Sequence, residues 1–418
     1  MDHQHFEPLI TNDAVIFGIL MLILAAIFKT AASSKPFWVK FYKVIPVILL
    51  SYFIPSLLNT FGIVDAEESQ LYFVASRYLL PACLVLLTIS VDLKEIIRLG
   101  PKSLIMFFTA TLGVVFGGPL SLLIVSSFDP SLVGGAGAEE VWRGMATIAG
   151  SWIGGGANQA AMYEVFKPSD ELYSMSITVD VLVAEILMTA LLLGIGRAEA
   201  IDRWFKADSS AIHTLKDKME AYSLSIAKIP TTADLMLIAG IGFGITGFAH
   251  FMADIIAPFI HEQAPALSKF SLDSGFFWLI VIATTIGVIL SFTKLRTIEG
   301  AGASKLGSVF IFILVATIGM KMDIMAIFDN PGFFLVGLIW MLIHVVLLVI
   351  AAKLINAPYF FLAVGSTANI GGAASAPVIA AAFHPSLAPV GVLLAVLGYA
   401  LGTYGAWLCG LLMQAASQ

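Results

Sequence analysis

Charged side chains are scarce in this sequence, since Asp, Glu, Lys and Arg together make up only 12% of its 418 residues, whereas 59% are hydrophobic. Soluble domains usually carry about twice that charged fraction, so the composition excludes an ordinary soluble protein. The net charge is only −6 and no run of basic residues occurs, which argues against a nucleic-acid partner. The sequence therefore predicts an all-α polytopic membrane protein surrounded by lipid.

Cysteine is almost absent as well. Cys83 and Cys409 are the only two, and both lie within apolar segments, so core packing is a better explanation for them than a disulfide or a metal site. The chain also has no GxSxG, HExxH or Walker A motif. We therefore expect no enzymatic activity, no cofactor and no metal other than a bound Na⁺.

Long apolar runs dominate what remains, and twelve of them reach spanning length. They include Trp142–Phe166, Leu235–Ile260 and Phe360–Phe383. Lysines and arginines place the first and third connections inside, but twelve simple crossings put the basic residues at 294–305 outside, against the positive-inside rule. One segment is therefore miscounted, and Leu235–Ile260 is the main candidate. The expected number of spans is eleven to thirteen.

Two Gly-rich stretches, residues 150–159 and 365–377, interrupt apolar segments and align with each other. Ile153 matches Ile370, and Asn158 matches Ser375. Hydrocarbon cannot satisfy freed backbone groups, so an interrupted helix at that depth must be buried in protein or line a cavity. Paired interruptions in two halves are typical of the midplane site of a secondary transporter. The expected backbone breaks are at Gly154, Gly155, Gly156, Gly371 and Gly372.

The chain divides into two related halves. Residues 1–196 form the first repeat, 197–232 a polar linker, and 233–418 the second repeat. Asp92 and Asp323 occupy matching places before an apolar span in each half. In the linker, Leu215, Met219, Tyr222 and Ile226 recur at helical spacing, which allows an interfacial helix, although a solvated linker is the simpler interpretation.

Ionisable residues inside apolar spans are candidates for function, because a mid-bilayer charge costs about 2.5–3.5 kcal/mol on insertion scales. Asp180 and Glu185 both lie in the span after the first break. Five residues apart on a helix, they point about 140° away from each other. We predict that Asp180 faces the break and binds a cation or proton, the alternative being a neutral structural carboxyl. Glu185 is a second ion-coupling candidate.

Polar side chains at the breaks supply further candidate ligands. Asn158 and Ser375 could also help to bind the coupling ion, while the alternative for all of these residues is helix capping or helix packing. We favour a binding role for Asn158 and Asn369. His344 is a proton-relay candidate, although a lone buried histidine is more often a packing residue. The predicted solute-binding residues are Ser151, Asn158, Gln159, Ser366, Thr367 and Asn369.

At GSWIGGGANQAA, GSTANIGGAASAP and residues 391–404, the chain resembles the DUF819 family of bacterial membrane proteins. That family is grouped with the cation:proton antiporter and anion transporter superfamily. The resemblance implies an inverted-repeat, sodium/proton-antiporter-like fold with two broken crossing helices, elevator-type motion, a panel domain that forms a homodimer, and a location in the bacterial inner membrane. In the antiporters an acid on the helix after the first broken helix binds the cation, and Asp180 occupies that place. Val179 precedes it, so the paired-acid pattern is not matched.

The resulting hypothesis is a secondary transporter coupled to Na⁺ or H⁺ that moves a small polar, anionic solute. Two alternatives remain open at this point. One is a sodium/proton antiporter without an organic substrate, and the other is a channel or holin-like pore in which the glycines form a filter.

Overall fold

The computed structural model of the chain describes residues 8–42, 45, 47–64, 66, 68–208, 212, 229–270, 272–321, 331–384 and 387–417. These residues form α-helices, and no β-strand occurs among them. In chain order the helices are α1 (Asp13–Ala31), α2 (Pro36–Phe41), α3 (Val47–Thr60), α4 (Leu71–Ile89, with a π-helical turn), α5 (Leu93–Arg98), α6 (Pro101–Phe128), α7 (Val141–Gly154), α8 (Gly156–Phe166), α9 (Asp170–Ile195), α10 (Ala198–Phe205), α11 (Thr232–Gln263), α12 (Gly275–Ser291), α13 (Ala303–Lys321), α14 (Pro331–Ile355), α15 (Tyr359–Asn369), α16 (Gly372–Phe383) and α17 (Ala388–Ala416).

Within these described ranges, eight helices are long and apolar enough to cross a membrane: α1, α4, α6, α9, α11, α13, α14 and α17. A ninth crossing results if α12 and the 3-10 helix Lys294–Ala301, which bend by 98°, count as one span. Large apolar side chains also face outward, such as Leu193 at 73% exposure and Leu342 at 63%, as expected for lipid-facing surfaces. The predicted all-α integral membrane protein is confirmed.

Helices α7 and α8 form a hairpin, because the start of α7 lies beside the end of α8. The rings of Trp142 and Phe166 are 5.5 Å apart, and the Arg143 guanidinium donates to the Phe166 carbonyl at 2.6 Å. Just outside the hairpin, the Ser169 N–H donates to the Ala138 carbonyl at 3.0 Å. The chain reverses at Gly155, whose φ of +76° favours glycine. We call this element hairpin 1.

Helices α15 and α16 form hairpin 2 in the same way. The ring of Phe383, at the end of α16, lies 5.9 Å from that of Tyr359 and 5.2 Å from that of Phe360, at the start of α15. The reversal takes place at Gly371 and Gly372, with φ of +90° and +55°. Both hairpins therefore enter the protein and leave it on the side from which they came.

These contacts correct the expectation of two broken crossing helices. Neither Trp142–Phe166 nor Phe360–Phe383 is a continuous span, because each consists of two antiparallel arms of 11 to 14 residues that reach about 16–21 Å and whose outer ends contact each other. Leu235–Ile260, the suspected miscount, lies within the single 32-residue helix α11. The expected eleven to thirteen spans become eight or nine among the described residues, because the two hairpins and the short helix α3 do not qualify and α12 does so only together with the 3-10 helix after it.

Of the polar segment 197–232 after α9, residues 197–208, 212 and 229–232 are described. Helix α10 contacts hairpin 2, since the Asp202 carboxylate accepts a hydrogen bond from the Tyr359 N–H at 2.7 Å. Burial raises the pKa of Asp202, and this hydrogen bond opposes that rise. Two predictions fall outside the described residues. One is the amphipathic helix in the linker, on Leu215, Met219, Tyr222 and Ile226, and the other is the match of Asp323 with Asp92. The division into halves stays a prediction.

Candidate functional site

The turns of the two hairpins meet at one residue of the last helix, Gly398 in α17. A Cβ atom on Gly398 would lie 2.9 Å from the carbonyl oxygen of Ile153 and 3.0 Å from that of Ala368. These two carbonyls come just before the turn of hairpin 1 and of hairpin 2. Glycine is therefore required at position 398, because any side chain would push against the backbone of both hairpins at once.

The next residue, Tyr399, touches both turns. Its ring atom Cε1 would lie 3.2 Å from a Cβ on Gly155 and 3.6 Å from one on Gly372. Tyr399 and Gly155 are half-buried and Gly371 is exposed, so the phenol and the turn backbones share an accessible surface. Tyr399 was not among the predicted site residues, although its hydroxyl and its place in the helix after the second break were the signals for it.

Asn158 fastens hairpin 1 to α17. Its side-chain amide donates to the carbonyls of Gly154 at 3.0 Å and Tyr399 at 3.5 Å, and its oxygen accepts from the Thr403 hydroxyl at 2.7 Å. The residue is fully buried. A buried amide with all these partners holds the turn in place, so Asn158 acts on the site through the backbone it positions.

Asn369 does the same for hairpin 2. Its amide donates to the carbonyls of Phe107 at 3.2 Å and Gly365 at 3.1 Å, and its oxygen accepts from the Thr111 hydroxyl at 2.8 Å. It too is fully buried. Asn369 therefore fixes hairpin 2 to α6 by hydrogen bonds, whereas Asn158 fixes hairpin 1 to α17. The predicted ligand role of both asparagines stays a prediction, and the geometry favours a positioning role.

Asp180 joins α9 to both arms of hairpin 1. One carboxylate oxygen accepts from the Trp152 indole N–H at 2.7 Å and the other from the Gln159 amide at 3.0 Å. The Ser151 side chain also hydrogen-bonds to it. Only 7% of Asp180 is exposed, and among the described residues no Lys or Arg pairs with it. The carboxylate thus lies beside the first hairpin turn, with neutral donors only.

Glu185 is separate from this group. It is half-buried on another face of α9, and within the described ranges no hydrogen bond or ion pair involves its carboxylate. Its predicted coupling role remains open, but the structure does not bring it together with Asp180.

The remaining candidates of hairpin 2 divide into buried and accessible residues. Ser366 is fully buried and hydrogen-bonded to His344 Nε2 at 2.9 Å, and Thr367 donates to the Ala363 carbonyl at 2.9 Å within its own helix. Ser375 is half-buried beside the turn, as Ser151 is on hairpin 1. Position therefore leaves Ser375 and Ser151 as the hydroxyls best placed to reach a solute.

Helix ends of both kinds meet at the turns. Helices α8 and α16 begin there, at Gly156 and Gly372, while α7 and α15 end there, at Gly154 and Asn369. First-turn N–H groups attract anions, and last-turn carbonyls attract cations. The meeting point can thus hold an anionic group and a cation without any charged side chain.

No group of three or more His, Cys, Asp or Glu side chains with metal-binding geometry occurs in the described part of the chain. Cys83 and Cys409 are both buried and unpaired. The expectations of no cofactor and of no metal beyond Na⁺ stay predictions.

Comparison with known proteins gives a family and a relative. Residues 18–416 match the family described as "Protein of unknown function (DUF819)". The chain is also similar to the uncharacterized membrane protein YjcL of Bacillus subtilis (strain 168), with 25% identity over 349 residues, which are 81% of this chain and 82% of that protein. Neither description names a substrate or an ion. The predicted family resemblance is confirmed, and the superfamily assignment stays a prediction.

Proposed function

The chain belongs to the DUF819 family of proteins of unknown function, and we propose that it is an ion-coupled secondary transporter of a small anionic solute. The observation that carries this proposal is the meeting of two hairpin turns at Gly398 and Tyr399. The helix ends at the two turns provide a polar site near mid-membrane. At that depth unpaired backbone groups cannot face lipid, so they must be buried in protein or line a cavity.

The helix order supports an inverted repeat. The first unit is α1, α3, α4, α6, hairpin 1 and α9, and the second is α11, α12, α13, α14, hairpin 2 and α17. Five crossings per unit turn the second unit upside down, so the hairpins enter from opposite sides. We also count α3 and α12, with 14 and 17 residues, as crossings: they are shorter than the eight long spans and occupy the same place in each unit.

Matching contacts support this correspondence. A Cβ on Gly319 of α13 would lie 2.8 Å from Tyr52 Cα of α3, and one on Gly287 of α12 would lie 3.1 Å from the Val85 carbonyl of α4. Each short helix therefore packs through a glycine contact against the long third helix of the other unit. Such interlocking is the expected arrangement of two repeats related by a pseudo-two-fold axis in the membrane plane.

The charge distribution orients the repeats. Contacts such as Lys102 Nζ with the Asn356 carbonyl at 2.8 Å and Arg296 with Asp92 at 2.9 Å hold one set of helix ends on a common side. From the positive-inside rule we infer that this side is cytoplasmic, with hairpin 2 inside and hairpin 1 outside. This orientation removes the earlier conflict at 294–305. The described basic residues on this side are Lys29, Lys35, Lys40, Lys94, Arg98, Lys102, Arg197, Arg203, Lys206, Lys294, Arg296, Lys305 and Lys353.

Alternating access would move the hairpins and α17 as one body against α3, α4, α12 and α13. The solute's anionic group binds at the starts of α8 and α16, where Ser151, Ser375 and Tyr399 add hydroxyls. Asp180 couples the ion, because it braces both arms of hairpin 1. We also propose the bacterial inner membrane as location and a homodimer as assembly.

A ligand screen tests this proposal. Purified protein is heated with small organic anions, with Na⁺ or at varied pH, and a ligand of the native state at 100 times its Kd is expected to add about 2.7 kcal/mol of stability. Gly155→Ala, at a φ that only glycine adopts easily, should lose this shift, whereas Gly240→Ala on α11, with nothing within 4 Å, should keep it.

Proteoliposomes then separate the candidate functions. Accumulation of the identified anion, driven by an ion gradient, is the expected result. Sodium-dependent proton movement without any solute would favour the antiporter instead. Ohmic single-channel currents would replace the transporter with a pore.

A further inference from the structure

A cavity of about 530 Å³ opens at the outer end of the protein, and Glu164 lies in its wall. Other lining residues are Arg77, Lys167, His250 and Asp254. The Glu164 side chain, 10% exposed, pairs with Arg77 at 3.1 Å and accepts a hydrogen bond from the Tyr72 hydroxyl. An acid at the edge of an aqueous cavity is thereby linked directly to the half-buried phenol of Tyr72, whose ring also lies 4.7 Å from the Lys321 ammonium.

A row of tyrosines continues inward from Glu164. The Tyr72 ring lies 6.2 Å from that of Tyr163, which stacks on Tyr173 at 4.3 Å. Tyr72, Tyr163 and Tyr173 therefore form one aromatic cluster, in which the Tyr163 ring contacts both of the others. Tyr173 and Asp180 are seven residues apart on one face of α9, so the row ends about 10 Å further in.

Two hydroxyls in this row have no hydrogen-bond partner among the described residues other than each other. They belong to Tyr52 and Tyr173, each about 1% exposed. Tyr52 lies within interaction range of both Tyr173 and Asp180. Two hydroxyls that can bond only to each other leave one buried O–H without an acceptor, so this pair near a buried acid calls for a role.

A phenol suits proton transfer because its hydroxyl both donates and accepts. The groups near Asp180 are the Trp152, Gln159 and Ser151 side chains, which hydrogen-bond to it, and the phenol of Tyr52. N–H hydrogens already point at both carboxylate oxygens, whereas a hard cation needs a shell of oxygen ligands. These donors favour the ionised carboxylate, but they leave few oxygen ligands for a sodium ion, so a proton suits this site better than a sodium ion.

We propose that Tyr72, Tyr173 and Tyr52 form a proton route from Glu164 in the outer cavity to Asp180, and that the coupling ion is a proton. A proton entering at Glu164 passes from hydroxyl to hydroxyl and converts the Asp180 carboxylate to the acid, and it leaves by the reverse steps. The inference rests on the proposed coupling role of Asp180. To that role it adds the identity of the coupling ion, a proton, and the path by which the proton reaches Asp180.

Infrared spectroscopy of the purified protein in D₂O tests the route without any solute. The carboxylic-acid band of Asp180 is assigned by subtracting the Asp180→Asn spectrum. In Tyr52→Phe and Tyr173→Phe, hydrogen–deuterium exchange of this band should slow by at least about tenfold, because the hydrogen-bonded path is interrupted. Tyr163→Phe is the matched control, since its hydroxyl donates to Asp170 outside the row, and its exchange rate should not change.

Three results would overturn the inference. They are unchanged exchange in both phenylalanine variants, loss of the band when NaCl replaces N-methylglucamine chloride at constant pH, and absence of the band at every pH where the protein is folded. Thermal unfolding of each variant shows whether a changed rate reflects a damaged fold. If transport requires Asp180 while the phenylalanine variants exchange normally, the route alone fails. If transport does not require Asp180, the proposed function fails too.

Discussion

Replacing Asp180 with Asn is expected to abolish gradient-driven transport while leaving the protein folded. The asparagine can still accept from Trp152 or Gln159, whose donors now reach the carboxylate at 2.7 and 3.0 Å, but it can neither take up a proton nor carry a negative charge. We expect the transport rate in proteoliposomes to fall by at least about a hundredfold, as for loss of a positioned proton acceptor.

The matched comparison is Glu185→Gln, five residues along the same helix. Glu185 is half-buried and has no polar partner in the described part of the chain, so this variant should retain transport. Retained transport in Asp180→Asn together with its loss in Glu185→Gln would move the coupling site to Glu185. Equal elution and equal unfolding temperature of both variants exclude misfolding as the cause.

The second large effect is expected for Gly398→Ala. The added Cβ would lie about 3 Å from two carbonyl oxygens, of Ile153 and Ala368, and neither backbone can move without displacing its hairpin. Overpacking of a rigid site costs about 1–3 kcal/mol, and here two contacts act together. We expect a lower unfolding temperature and loss of solute binding, measured by calorimetry and by the ligand-induced shift.

Gly405→Ala on the same helix is the control. Its Cβ would meet only side-chain atoms, the nearest being Ile153 Cδ1 at 3.1 Å, and a side-chain end can turn away. If Gly398→Ala is as stable as Gly405→Ala and still binds the solute, the hairpin turns do not meet at this residue.

The sequence identified where the backbone turns but not in which direction it continues. Gly155 and Gly371 were recognisable, because glycine runs inside apolar segments signal special dihedrals. Whether the chain then continues or reverses depends on contacts such as that between Trp142 and Phe166, which are 24 residues apart. Such contacts produce no periodic pattern in the sequence. Counting apolar length treats a hairpin with two short arms as one span.

Side-chain roles were predictable in part. Asp180 was placed beside the first break from its position and its helical face, and the structure puts it there in contact with Trp152 and Gln159. The partners of Asn158 and Asn369 are Thr403 and Thr111, about 245 and 258 residues away. Such long-range pairs decide whether an amide binds a solute or positions a turn, and a single sequence does not contain them.

The central claim is that hairpin 1 returns to its own side of the membrane, and cysteine labelling tests it directly. Ala138 lies just before hairpin 1, and Glu199 lies in α10 after the single crossing of α9. Both positions are exposed, and the two native cysteines are buried. With a re-entrant hairpin, Ala138→Cys reacts with an impermeant maleimide on intact cells, and Glu199→Cys reacts only after permeabilisation. If α7 and α8 instead cross the membrane together as one span, both cysteines react from the same side.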